Sequence, residues 1–189
     1  QAGSAGKRFC RTMRTVPRRT RRRRLRRRRR GRFRVTGMLR REDVLIVDGY
    51  NMIGAWPELE PLRTDRLDEA RDRLLDWLAE YQGYTGVSVT VVFDAFRVPG
   101  LGASYRHGGV NVVFTRERET ADECIERLVG EETSVRRNVY VATSDETEQR
   151  VAFGRGALRL TARELRLAVL ESRREIAGAI RQQPPAKRN

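Results

Sequence analysis

From residue 43 onward the chain switches between two hydrophobic periods. Val44-Leu45-Ile46-Val47 is a continuous apolar run closed by Asp48-Gly49, which predicts a short buried strand. Leu67, Ala70, Leu74, Trp77, Leu78 and Tyr81 recur at spacings of three and four, so residues 65–82 predict an amphipathic helix. Residues 87–93 predict a second buried strand and residues 110–114 a third. Between them, residues 95–109 hold four glycines, one proline and His107, and predict a long loop. Thr120-Ala121-Asp122-Glu123 is a capping box that opens a helix to about residue 129. Residues 139–142 predict a fourth strand, 146–153 a helix and 158–160 a short fifth strand. A second capping box, Thr161-Ala162-Arg163-Glu164, opens a final helix to about residue 180.

The resulting order, β-α-β-β-α-β-α-β-α with near-continuous apolar strands, predicts an α/β fold with a mostly parallel sheet covered by helices on both faces. In such folds ligands bind beyond the carboxyl ends of the strands, near the point where strand order reverses. Acidic residues stand at those ends. Asp48 follows the first strand, Asp94 the second and Asp145 the fourth, while Asp122 lies in the first helical turn after the third. The pattern brings four carboxylates toward one edge of the sheet.

Charge divides the chain in two. Residues 1–41 hold 18 Arg, one Lys and no acid, a charge of +19, within a total of +15. The remaining residues hold 21 bases and 25 acids, a net of −4. The organisation expected is an Arg-rich arm over 1–41, disordered until it meets a polyanion, a domain over 42–181 and a frayed tail over 182–189. The arm suits electrostatic attachment to RNA through counterion release. An organelle transit peptide and a dispensable extension are the other readings, and Ser4 as the sole serine of the arm weighs against the transit peptide.

Composition excludes several classes. No stretch of about 18 apolar residues occurs, so no membrane-spanning helix is expected. Two cysteines, Cys10 and Cys124, and one histidine make neither a disulfide scaffold nor a Cys/His zinc site. Read as reduced thiols, the cysteines point to an intracellular compartment, which a bacterial cytosol and a plastid stroma both satisfy. The only lysines, Lys7 and Lys187, lie in the terminal segments, which removes mechanisms that need a lysine inside the domain. Neither Gly-Lys-Ser/Thr nor Gly-x-Ser-x-Gly is present, nor is Asp-x-Asp after the first strand.

Carboxylates gathered in a cleft repel one another unless a cation neutralises them. Hard oxygen ligands of this kind suit one or two Mg²⁺ or Mn²⁺ ions, which meet a substrate phosphate and activate water. Metal-assisted phosphodiester hydrolysis is the reaction class expected. Against it stands the plain role of Asp as a helix N-cap.

The motifs Val47-Asp48-Gly49-Tyr50-Asn51-Met52-Ile53-Gly54, Val92-Phe93-Asp94-Ala95, Val113-Phe114-Thr115, Glu119-Thr120-Ala121-Asp122 and Ala142-Thr143-Ser144-Asp145 occur in one order. With residues 154–164 (GRGALRLTARE), they make residues 43–175 resemble the YacP-like NYN-domain family. The resemblance implies a PIN-like (NYN) three-layer fold, a divalent-metal endoribonuclease site and, for bacterial members, cleavage of messenger RNA on translating ribosomes. It carries the acidic site onto Asp48, Asp94, Asp122 and Asp145. It places Asn51 where it orients Asp48 or a water, and Thr143 and Ser144 as hydrogen-bonding support. The arm lies outside the family pattern.

Arg97, Tyr105, Arg106, Arg116 and Arg118 are candidates for an RNA-contacting rim, since Arg pairs with phosphate and aromatics stack on unpaired bases. The leading expectation is a metal-dependent endoribonuclease of single-stranded RNA. The alternatives are a non-catalytic RNA- or ribosome-binding module and a nuclease for structured RNA or DNA. The final helix fits a dimer face as well as the core, which leaves the oligomeric state open.

Overall fold

The computed structural model describes residues 39–95, 102–133, 137–144 and 156–182. Most of the arm, Arg97, the helix expected over 146–153, Asp145 and the tail from residue 183 lie outside the described residues.

Six strands form one sheet: β1 (Val44–Asp48), β2 (Ser88–Phe93), β3 (Ser104–His107), β4 (Val110–Phe114), β5 (Val139–Thr143) and β6 (Leu158–Thr161). Their order is β3-β4-β2-β1-β5-β6. All neighbouring pairs are parallel except β3–β4. Four helices are described: α1 (Gly49–Ala55), α2 (Leu67–Thr85), α3 (Ala121–Glu132) and α4 (Ala162–Gln182). A 3-10 turn spans Glu60–Leu62.

Strand alternation separates two apolar layers. Leu45 and Val47 of β1 face a cluster with Met52 and Ile53 of α1, Leu74, Leu78 and Tyr81 of α2, and Leu165 and Val169 of α4. Val44 and Ile46 face the other side, with Cys124, Ile125 and Val129 of α3. A strand buried on both faces must be apolar throughout, which is why β1 reads as an unbroken run. The three-layer α/β fold expected from the sequence is the one observed.

Both capping boxes form. Glu123 N donates to Thr120 Oγ1 at 3.2 Å while Thr120 N donates to Glu123 Oε2 at 3.0 Å. At α4, Glu164 N donates to Thr161 Oγ1 at 3.2 Å and Thr161 N to Glu164 Oε2 at 2.9 Å. At the opposite end of β1, buried Asp43 accepts from Arg40 N at 2.7 Å and from both nitrogens of Asn138 at 3.2 Å, tying the starts of β1 and β5.

Two elements depart from the sequence expectation. The loop assigned to 95–109 contains β3, paired antiparallel with β4 so that Tyr105 faces Val112 and His107 faces Val110. Gly108 and Gly109, both at positive φ (56° and 97°), make the two-residue turn between the strands. Their freedom at positive φ matches the twist of a tight hairpin. His107 is thus a strand residue, half-buried, with Nε2 2.7 Å from Asp76 Oδ1 on α2. The second departure is α1, a seven-residue helix directly after Asp48.

Candidate active site

The register of the sheet sets the site. Asp48 pairs with Val92 and Phe93 with Phe114, so Asp94 and Thr115 leave their strands at the same end as Asp48. Across β1, Val47 pairs with Ala142, which brings Thr143 and Ser144 to that end as well. β1 has β2 on one side and β5 on the other, so this is the switch point where the chain reverses its direction of travel across the sheet. A cavity of about 580 Å³ opens there, lined by Asp48, Asn51, Asp94, Ser144, Tyr50 and Arg63 among others.

Asp48 is 5% exposed and held from two directions. Its Oδ1 accepts from the backbone N–H of Asn51 at 3.0 Å, the N-cap bond of α1. Its Oδ2 accepts from Asn51 Nδ2 at 2.8 Å. The amide of Asn51 is oriented in turn by Ser144, whose hydroxyl donates to Asn51 Oδ1. A relay Ser144–Asn51–Asp48 therefore spans from the end of β5 to the end of β1. Each Asp48 oxygen accepts one bond and keeps a lone pair for another partner. The N-cap role and a ligand role are compatible in the same carboxylate.

Asp94 is half-buried, with Thr115 Oγ1 3.4 Å from its Oδ1. Thr115 is itself buried and accepts from Ala95 N at 2.9 Å, while its backbone N–H donates to Phe93 O at 3.0 Å. A residue next to β4 thus fixes the backbone on both sides of Asp94.

The remaining candidates separate. Ala121 lines the cavity, but Asp122, one residue further into α3, has an exposed side chain. Asp145 lies outside the described residues. Among the described residues no three His, Cys, Asp or Glu side chains gather closely enough to hold a metal ion. Thr143 is fully buried. The site that the described residues assemble is a carboxylate pair, Asp48 and Asp94, with an amide and a hydroxyl beside it.

The expected rim is not one patch. Tyr105 and Arg106 are adjacent on β3 and project to opposite faces. Tyr105 stands over the α2 side with its ring stacked on Phe114, centroids 6.3 Å apart, and it remains 47% exposed. Arg106 is paired with Asn111 on the other face, Nε to Oδ1 3.1 Å. Arg116 and Arg118 are exposed on the turn after β4, with Arg118 at φ 64°. Arg97 lies outside the described residues.

Three residues not singled out from sequence shape this region. Tyr50 lines the cavity, packs on Phe93 at 5.1 Å and takes a hydrogen bond from Arg71 at 3.1 Å. Glu119 accepts from Arg116 N at 2.9 Å and from Arg127 Nε at 3.0 Å, locking the turn that leads into α3. Burial opposes the Glu119 charge, but these donors hold its pKa below the usual carboxylate value. Arg63 enters from the segment after the 3-10 turn, where no local motif announces it.

The model of the YacP-like NYN domain family matches residues 45–189. The chain is 51% identical over 139 residues to the uncharacterized protein YacP of Bacillus subtilis strain 168, spanning 74% of this chain and 82% of that one. A crystal structure of Rae1 (YacP) from Bacillus subtilis superposes with a TM-score of 0.67 at 51% identity, covering 74% of this chain and 80% of that one. A point-mutant structure of the same protein gives 0.67 at 48% identity, covering 74% and 82%.

Proposed function

From the premise that this chain belongs to the YacP-like NYN domain family, a family of PIN-like nuclease fold, we propose that it is a divalent-metal-dependent endoribonuclease of single-stranded RNA. The observation that carries this reading is the meeting of Asp48 and Asp94 in one cavity at the switch point of the sheet, with Asn51 and Ser144 beside them. A protein that only bound a polyanion would gain nothing from carboxylates lining its cleft.

The donors present fit a hard cation. Asp48 and Asp94 offer carboxylate oxygens on one cavity, the ligand type that suits Mg²⁺ or Mn²⁺. Asp48 and Asp94 would hold one or two such ions, with Asp122 and Asp145 as further ligands. When bound, the ion supplies charge neutralisation at the phosphoryl oxygens and lowers the pKa of a coordinated water. The chain's own residues do the rest. Asn51 fixes the rotamer of Asp48, Ser144 fixes the amide of Asn51, and Thr115 steadies Asp94. Such supporting bonds preserve the geometry on which ligand affinity depends.

Exposed Tyr105, its inner face against Phe114, offers its outer face to an unpaired base, and Arg116 and Arg118 offer charge to phosphates. The family resemblance supports messenger RNA on the translating ribosome as the substrate, inside a bacterial cytosol or a plastid stroma. Among the described residues no helix is long and apolar enough to cross a membrane.

A second reading, a non-catalytic RNA- or ribosome-binding module, draws on the exposed side chain of Asp122. One assay separates the two. Labelled single-stranded RNA is incubated with the full chain under Mn²⁺, Mg²⁺ or EDTA, with and without ribosomes. Metal-dependent cutting that drops at least 100-fold in Asp94→Asn and in Asp48→Asn, with melting temperature preserved, is the expected result. Binding without cutting in every condition transfers the assignment to the module.

A further inference from the structure

The cavity is larger than a metal site requires. An octahedral ion with its waters fills about 200 Å³ at roughly 30 Å³ per water, against about 580 Å³ here. Its lining takes in Ile53, Gly54 and Ala55 at the end of α1 and one basic side chain. Arg63 is the only Lys or Arg lining this cavity among the described residues. A Cβ placed on Gly54 would lie 3.6 Å from Nη1 of Arg63, so the guanidinium rests across the last turn of α1.

Its freedom sets it apart from its neighbours. Arg71 is committed to Asp68 and to the Tyr50 hydroxyl, and Arg66 to Glu69. Arg166 is committed to Glu58. No hydrogen bond or ion pair engages the Arg63 guanidinium among the described residues, and the side chain is exposed. An uncommitted arginine whose five donors border a cleft holding two carboxylates faces whatever anion the cleft admits.

The spacing says which anion. Gly54 lies six residues beyond Asp48, and α1 rises about 1.5 Å per residue, so the turn on which the Arg63 guanidinium rests stands roughly 9 Å along the helix from Asp48. That is well beyond the ~2 Å reach of a metal ligand. Arg63 is therefore placed to touch the substrate and not the ion. We infer that Arg63 is a phosphate subsite of this cavity, binding the backbone phosphate next to the scissile one and thereby fixing which way the RNA strand lies across Asp48 and Asp94. This rests on the nuclease reading above. It makes Arg63 a binding and positioning residue, separate from the reacting atoms.

The test compares the full wild-type chain with Arg63→Ala, Arg63→Lys and Arg63→Glu on one labelled single-stranded RNA. Among the described residues the Arg63 side chain has no partner to lose, so all three variants should melt as wild type does. The expected result is a KM about tenfold higher in Arg63→Ala with kcat within twofold, partial recovery in Arg63→Lys, and a further rise in Arg63→Glu. The salt dependence of 1/KM should flatten by about 0.7 log unit per log unit of salt, the loss of one single-strand phosphate contact. Unchanged KM in Arg63→Ala overturns the inference, and so does a loss confined to kcat. If the wild type cuts nothing, the nuclease reading fails, and what affinity then judges is the Arg63 phosphate contact alone. Weaker RNA binding by Arg63→Ala in an Asp94→Asn chain then upholds it, and equal binding overturns it.

Discussion

Gly49 has no room for a side chain. A Cβ there would sit 2.2 Å from Cε1 of Phe93, and Phe93 is fully buried between the rings of Tyr50 and Phe114. The glycine follows Asp48 and the phenylalanine precedes Asp94, so this contact lies directly behind the two carboxylates. Gly49→Ala should lower stability by about 1–3 kcal/mol, the usual cost of overpacking a filled core. It should also depress cleavage by displacing both acids, as thermal melting and a single-turnover assay would read. A variant of wild-type stability and activity would show that β1 and β2 yield freely here. At this scale Asp48 and Asp94 were legible because each ends an apolar run. Arg63 and Thr115 were not, since a 3-10 turn and a strand neighbour deliver them through pairing rather than through local pattern. Asp122 shows where local pattern stops. Its capping box fixes where α3 starts, yet the box says nothing about which way the second residue of the helix projects.

Among the elements, those with a long apolar signal were readable and the short ones were not. β1, β2, β4 and β5 announce themselves because burial on one or both faces demands apolar side chains. α1, at seven residues, completes too few turns for a period to emerge. β3 reads Ser-Tyr-Arg-His, with one side facing solvent, and its pairing is dictated by the Gly108-Gly109 turn that a composition-based reading assigns to loop. Carboxylates at these element ends also set the response to acid. The Glu164 pKa is held low by the backbone N–H and the hydroxyl of Thr161, and that of Glu58 by its hydrogen bond from Arg166. Burial raises Glu119, but the Arg116 N–H and Arg127 outweigh it and hold that pKa low too. A depressed folded-state pKa gives stability that is present above the unfolded value, about 4.3 for Glu, and lost as pH falls through the folded value. The melting temperature should accordingly be level from pH 7 to about 5 and decline below about pH 4. Circular dichroism across that range reads it, and a level profile down to pH 3 would remove these three carboxylates from the stability account.

For the whole molecule, charge asymmetry is the governing fact. A domain of net −4 repels RNA at long range, while residues 1–41 carry +19. Attachment through that segment predicts a steep loss of RNA affinity with added salt, because each neutralised phosphate releases counterions. Deleting residues 1–41 should weaken binding and flatten the slope of log affinity against log salt by several units. Fluorescence anisotropy on wild type and truncation measures it directly, and an unchanged slope would assign the segment to targeting or to no role in binding.

The strand order also dictates when the cavity can exist. β1 pairs with β5, Val44 opposite Val139, across a sequence gap of 95 residues. Pairings between positions so far apart form late, since the chain must close a long loop before any contact rewards it. During synthesis Asp48 and Asp94 emerge early, but the Ser144 end of the Ser144–Asn51–Asp48 relay follows only after β5 has left the exit tunnel. A half-made chain carries the acids without the frame that orients them, so under the proposed nuclease function competence to cut would be withheld until most of the sheet has been translated.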